Sequence, residues 1–284
     1  MQFALKLLVL VAILVTAAHA AQFAVAIVPA PLLNTADFSS VFGGKDGRSL
    51  RKDECGQLRA VEFVALPGTV FTIEKKIASK TGAVYRVTTD DYPYPSPEGY
   101  FIDSRSVKIV AVRPPERVRS LPTKEKILAT MESRVGSRYV WGGNIAAGVA
   151  QLSQWYPPTG AADMALWQIK GVDCSGLLYE ATGGYTPRNT SALLKFGRPV
   201  MIAGKSVQEI AARLQPLDLV VWPGHVLIVL AGGRIIESRL VCSRPEDGVR
   251  IRPLQEALQE IIKKRQPVDN ITRGTKEFVV RRWY

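Results

Sequence analysis

Gly171-Val-Asp-Cys-Ser-Gly-Leu-Leu-Tyr-Glu-Ala-Thr-Gly-Gly184 places a cysteine between Asp173 and Ser175, directly ahead of the apolar residues Leu177, Leu178 and Ala181. The apolar spacing and the two closing glycines predict a short buried helix that starts at Cys174 and ends in a glycine cap. At the first turn of a helix the backbone N–H groups have no intrahelical partner, and the helix dipole is positive there. Both favour a thiolate, the nucleophilic form of cysteine. A buried structural cysteine is the competing reading. The segment alone does not separate the two, and the rest of the chain has to.

Downstream the hydrophobic period changes from helical to alternating. Leu217-Asp-Leu-Val-Val-Trp222, His225-Val-Leu-Ile-Val-Leu230 and Arg234-Ile-Ile-Glu-Ser238 read as strands joined at Pro223-Gly224 and at Ala231-Gly-Gly233. Val249-Arg-Ile-Arg252 and Phe278-Val-Val-Arg-Arg-Trp283 read as two more, and Leu254 to Lys264 as a helix. Ser206-Val-Gln-Glu209 is a capping box that opens another helix. Upstream, Thr123 caps a helix whose face carries Ile127, Leu128, Met131 and Val135. Helices followed by an antiparallel meander make residues 123–284 an α+β domain.

Residues 1–20 hold Lys6, an apolar run from Leu7 to Thr16, and Ala18-His-Ala20, the pattern of a cleaved secretory signal peptide. The run is short for a membrane span. No later stretch reads as transmembrane, and no cysteine marks a lipoprotein site. The expected mature chain is exported, with about 264 residues. Its location is the periplasm or the extracellular space, with the periplasm the first expectation. Cleavage removes His19 and leaves His225 as the single imidazole.

Alternation along the hairpin gives His225 a neighbour. With Ala231–Gly233 as a three-residue loop, Leu230 faces Arg234, and Glu237 lies on the sheet face of His225, one diagonal away. A four-residue loop would present Ser238 instead. A thiol, an imidazole and a group that fixes the ring are the parts of a nucleophilic hydrolase. A turn histidine and an exposed strand carboxylate are the bland alternatives. Cys174 at a helix start tips the balance to the catalytic one.

The net charge of +12 suits an exported protein that associates with anionic polymers or surfaces. The basic residues are scattered and carry no interleaved aromatics, which argues against nucleic acid. Cys55 and Cys242 form an even pair once Cys174 is set aside. A disulfide between them would tie the two halves of the chain together, and two buried free thiols are the alternative.

Residues 21 to about 60 read as an extended arm and a Gly-rich loop. From 60 to 112, Ala60–Ala65, Val70–Ile73, Val84–Thr88 and Val107–Val112 are short strand patterns between turn residues. Their number and length resemble a bacterial SH3-like β domain. The Pro-rich stretch Arg113–Pro122 reads as a linker.

Tyr139-Val-Trp-Gly-Gly143, Asp173-Cys-Ser-Gly176, Pro187-Arg-Asn-Thr190, Leu217-Asp-Leu219 and Gly224-His-Val-Leu-Ile228 occur in this order. As a set they resemble the NlpC-type cell-wall cysteine endopeptidases over residues 123–284. Many members of that family carry an SH3-like domain in front. The resemblance implies a compact papain-like fold that needs no metal or other cofactor. It also implies hydrolysis of an amide in peptidoglycan stem peptides or muropeptides, typically between γ-D-glutamate and a diamino acid. Cys174 matches the nucleophile and His225 the base. Glu237 falls where the family usually has His, Asn or Gln. Asp173 and Ser175 match positions that bind the amino-terminal end of the substrate. Tyr139 matches a cleft tyrosine, and Arg188 and Thr190 match the polar turn beside it.

The segment 144–172 is longer than the family spacing. Its Trp155, Tyr156 and Trp167 are expected either to form a lid, with Trp155 touching substrate, or to pack together as a surface insertion. Two rival functions fit the sequence. One is a non-catalytic wall-binding protein. The other is an amidase or acyltransferase that uses the same pair.

Overall fold

The computed structural model describes residues 22–79, 82–160, 163–242 and 247–284; the expected signal peptide lies outside them. Two antiparallel sheets organise the chain. The first runs in the order Val61–Ala65, Ala30–Leu33, Tyr100–Asp103, Gly82–Thr88, Val70–Ser79, Gln22–Ala26, Val107–Val110. The second runs Arg198–Val200, Glu277–Arg282, Leu219–Trp222, His225–Leu230, Arg234–Arg239, Gly248–Pro253, and Gln266–Pro267 joins Glu277–Arg282 in parallel.

The N-terminal arm expected from the sequence is not an arm. Gln22–Ala26 sits between Val70–Ser79 and Val107–Val110 and pairs with both. Ala30–Leu33 is fully buried between Val61–Ala65 and Tyr100–Asp103. The Ala- and Pro-rich composition hid these strands, because their pairing partners lie 28 to 87 residues away. The capped helix Lys124–Glu132 buries Ile127 and Met131, while Val135 lies past its end and is exposed.

Strand alternation divides the second sheet. Val226, Ile228 and Leu230 join the cluster of Cys174, Leu177, Leu178 and Ala181. Leu227 and Val229 pack with Ile210 of the helix Val207–Arg213 and with Leu254, Leu258 and Ile261 of the helix Leu254–Ile262. The predicted helix is Cys174–Ala181, and all of its residues except Glu180 are buried. Its far side belongs to the first sheet, since Tyr179 joins that cluster and meets Phe63 edge-on at 5.7 Å. The cysteine helix is thus clamped between the two halves of the chain.

Several polar contacts weld those halves together. The buried Asn144 side chain accepts from Val64 N and donates to Val64 O, both at 2.9 Å, and so extends a strand edge across the junction. Gln57 Oε1 accepts from Trp141 N, and Tyr94 Oη accepts from Asn189 N. A Cβ on Gly142 would stand 2.5 Å from the Val61 carbonyl oxygen, in a backbone with φ +71°. That explains the glycine at this close approach. Cys55 and Cys242 form a disulfide, the first of the two expected alternatives. The stretch 113–122 is tied down as well: Arg117 donates to the Gly183 carbonyl, and Arg119 pairs with Asp91.

Segment 144–172 is closed at its base by the ladder Asn144–Ile145 against Gly171–Val172. Tyr156 and Trp167 are buried with Phe38, Val41, Phe42 and Leu58 of the N-terminal half. This corrects the lid reading: the aromatics face inward because the first sheet offers them an apolar surface. Trp155 is also not a cleft residue. It packs beside that cluster with the Arg105 guanidinium 5.1 Å from its ring.

Candidate active site

Asp173 caps the cysteine helix, with its Oδ1 accepting from Gly176 N at 2.7 Å. Gly176 has a steric role, since a Cβ there would lie 2.0 Å from the Gly143 carbonyl oxygen. The glycine lets the helix start press onto the Gly142-Gly143 turn, which holds Cys174 at the edge of the second sheet. There the thiol points at the Gly224 carbonyl, 3.9 Å from Sγ. His225 follows directly, as the first residue of its strand.

His225 is bonded through Nε2 to Glu237 Oε2 at 2.9 Å, and the Cys174 thiol, at the Gly224 carbonyl just before it, acts on the ring as well. The loop is the three-residue one: Leu230 pairs with Arg234 and Ile228 with Ile236. The register therefore puts Glu237 on the histidine's face. Ser238, the alternative, is turned away, and its buried hydroxyl donates to the Val172 carbonyl at 2.6 Å. Burial opposes a charge on His225, but the hydrogen bonds and charges of Cys174 and Glu237 outweigh it and push its pKa up to about 9. Burial likewise disfavours the Glu237 carboxylate. The hydrogen bond and charge of His225, with Arg252 and Arg250, prevail and hold its pKa down at about 2. Arg252 and Arg250 reach Glu237 Oε1 at 3.2 and 3.4 Å. Neither arginine was foreseen from the sequence, although alternation opposite Glu237 on the next strand would have located Arg250.

Two clefts meet at this pair. The first, of about 390 Å³, is lined by Cys174, Asp173, Ser175, Tyr139, Arg188 and Thr190, and by Glu62 and Tyr92 of the first sheet half. The second, of about 430 Å³, is lined by His225, Glu237, Trp222, Arg265 and their neighbours. Tyr139, Trp141 and Gly224 border both. Burial, followed by the charges of Asp173 and Cys174, keeps the Tyr139 phenol protonated far above its usual range.

The structure brings Tyr139, Asp173, Ser175, Arg188 and Thr190 together, but it gives Asp173 and Arg188 another partner first: each other. Arg188 is buried and donates to both Asp173 oxygens, at 2.9 and 2.6 Å, and to Ser175 Oγ, Asn144 Oδ1 and the Gly143 carbonyl. All five guanidinium donors are used. Desolvation of Arg188 is more than offset by the Asp173 charge, which raises its pKa. Arg188 therefore shapes the floor around the helix start, and Asp173 is already neutralised. The unbalanced carboxylate in this cleft is Glu62, which accepts from Asn34 and Tyr92 and has no cationic partner among the described residues. Sequence reading missed Glu62, because nothing local joins the first sheet to the cleft.

The sequence matches no family model. It also matches no curated protein. Among solved structures the result is different. The chain is similar to NlpC/P60 domains. A P60 domain of an M. avium subspecies paratuberculosis antigen is 22% identical; the alignment covers 56% of this chain and 93% of that one, with a TM-score of 0.33. An NlpC/P60 family protein from Bacillus cereus is 17% identical over 93% of this chain and 64% of its own length, with a TM-score of 0.35. RipD from Mycobacterium tuberculosis, described as a non-catalytic NlpC/P60 domain protein adapted to peptidoglycan binding, is 20% identical over 56% of this chain and 95% of its own, with a TM-score of 0.33.

Proposed function

We propose that this protein is a cysteine endopeptidase that hydrolyses an amide in peptidoglycan stem peptides, the γ-D-glutamyl–diamino acid bond being the first candidate. The observation that carries the reading is the chain Cys174–His225–Glu237, set where two clefts of opposite electrical character meet. The Cys174 thiolate attacks the amide carbonyl carbon from the first cleft, and the oxyanion takes the Cys174 backbone N–H at the helix start. His225, held as imidazolium by Glu237, faces the second cleft, where the leaving amine departs. It gives that amine its proton as the C–N bond breaks, leaving a thioester on Cys174. Neutral His225 then removes a proton from water, the hydroxide attacks the thioester, and the acid and the thiolate are released.

Glu62 fits the first cleft's role, because an amino-terminal ammonium entering on the acyl side finds its counter-charge there. Residues 22–112, whose strand pattern resembles an SH3-like domain, act on this reading as a wall of the cleft. The substrate places the working chain outside the cytoplasm. The test is digestion of purified muropeptides and intact peptidoglycan, with products read by mass spectrometry. New amino groups on a diamino acid support the reading. Cleavage at the sugar–alanine bond would make the protein an amidase. Tight binding without any product would make it a wall-binding protein.

A further inference from the structure

The second cleft carries more positive charge than the reaction needs. Arg59, Arg239, Arg252, Lys264 and Arg265 line it, against only Glu237 and Glu260. The carboxylates are already engaged. Glu237 serves His225, Arg250 and Arg252, and Glu260 pairs with Arg252 at 2.6 Å and Arg239 at 3.7 Å. Arg59 has Asp53, at 2.5 Å. That leaves Lys264 and Arg265 with no carboxylate partner among the described residues.

Arg265 is the stronger anchor of the two. Its guanidinium lies 4.7 Å from the centre of the Trp222 ring, and that ring lies 5.1 Å from the His225 ring. The indole thus holds the cation at a set offset from the group that protonates the leaving amine. Its Nε is buried and makes no hydrogen bond. Burial acts on this guanidinium with no offsetting charge, and lowers its pKa. A desolvated donor left unpaired is costly unless a ligand meets it, and a planar guanidinium matches a carboxylate with two parallel bonds.

We infer that this cleft is a carboxylate subsite for the leaving half of the substrate, with Arg265 as its main contact. The inference rests on the peptidase reading. It adds that the amino acid released as the amine bears a carboxylate next to His225, and that this group fixes the direction of the peptide. Glu62 receives the amino end in one cleft, and Arg265 receives the acid in the other. Two sources share this chemistry: the α-carboxylate of a stem peptide that ends at the diamino acid, and the side-chain carboxylate of a dicarboxylic diamino acid.

Four synthetic peptides with one acyl half, L-Ala-γ-D-Glu, separate the sources. The leaving residue is lysine acid, lysine amide, diaminopimelic acid with its α-carboxyl amidated, or diaminopimelic acid with both carboxyls free. Steady-state kcat/KM is measured for the native protein, Arg265→Gln and Arg265→Lys. The expected result is a preference of about ten- to hundredfold for one acid over its matched amide. Arg265→Gln should bring that ratio down to about one, and Arg265→Lys should restore part of it, because charge is regained without the fork. The lysine pair reports the α-carboxylate, and the two α-amides report the side chain. If the native protein cleaves all four equally, or if its preference persists in Arg265→Gln, the inference is wrong while the peptidase reading stands. If it cleaves none, the peptidase reading fails and this inference falls with it.

Discussion

Replacing Glu237 with Gln changes one charge and almost no volume, and it acts at the centre of the site. The carboxylate is 2% exposed, bonds His225 Nε2 at 2.9 Å and faces Arg252 and Arg250 at 3.2 and 3.4 Å. Removing a charge this close to an imidazole lowers its pKa by about 1–3 units, which amounts to about 1.4 kcal/mol of imidazolium stabilisation per unit. On the peptidase reading the native protein should lose activity as pH rises through about 9, where His225 gives up its proton. In Glu237→Gln that alkaline limb should move into roughly the pH 6–8 range, and kcat/KM at pH 7.5 should fall by up to about 30-fold as the imidazolium fraction drops. Stability follows the same groups. The His225 pKa is raised, so its contribution is complete below its ordinary value of 6.5 and is lost as pH rises through about 9. The Glu237 pKa is lowered, so its contribution is complete above 4.5 and is lost as pH falls through about 2. The stability gap between native and variant should therefore be widest between pH 4.5 and 6.5. The variant also leaves two arginines facing a neutral amide, which adds about 1–3 kcal/mol of cost. Urea titrations and pH–rate profiles at matched pH values read both effects. An alkaline limb that stays near pH 9 in the variant would refute the argument that Glu237 sets the charge of His225.

Three further outcomes follow from the packing. Converting both Cys55 and Cys242 to Ser opens a 187-residue cross-link and should cost roughly 2–5 kcal/mol in urea unfolding. Asn144→Ala strands the buried Val64 N–H and C=O and the Arg188 Nε; a loss of about 2–4 kcal/mol is expected by thermal or urea melts. Trp167→Ala empties a site that is 1% exposed in the cluster shared by segment 144–172 and the first sheet. It should destabilise the fold by about 3–5 kcal/mol. The KM of the protein that remains folded should stay unchanged, as a lid residue's would not.

Local chemistry made much of the site readable before any fold was known. The apolar run after Cys174 and the Gly183-Gly184 ending each act within a few residues, and so they located the helix, to which the structure adds the Asp173 cap. Period-two alternation narrowed the histidine's partner to Glu237 or Ser238, and the observed three-residue loop decided for Glu237. What stayed hidden depends on long-range pairing. Ala30–Leu33 looks like part of an arm because a strand buried on both faces shows no alternation, and Gln22–Ala26 does because its partners lie 45 to 87 residues away. Trp155, Tyr156 and Trp167 could not be assigned to a lid or a core until the first sheet supplied an apolar partner. Glu62 and Arg265 lie on separate halves of the chain, and only the welded junction brings their two clefts together at the Cys174–His225 pair.

The central claim is that Cys174 supplies the nucleophile, and Cys174→Ala tests it most directly. The residue is 6% exposed and the change removes a single sulfur atom, so circular dichroism should match that of the native protein. With L-Ala-γ-D-Glu–diamino acid peptide as substrate, release of the free diamino acid should fall by at least about 10³-fold. A folded Cys174→Ala protein that still releases it at the native rate would contradict the account.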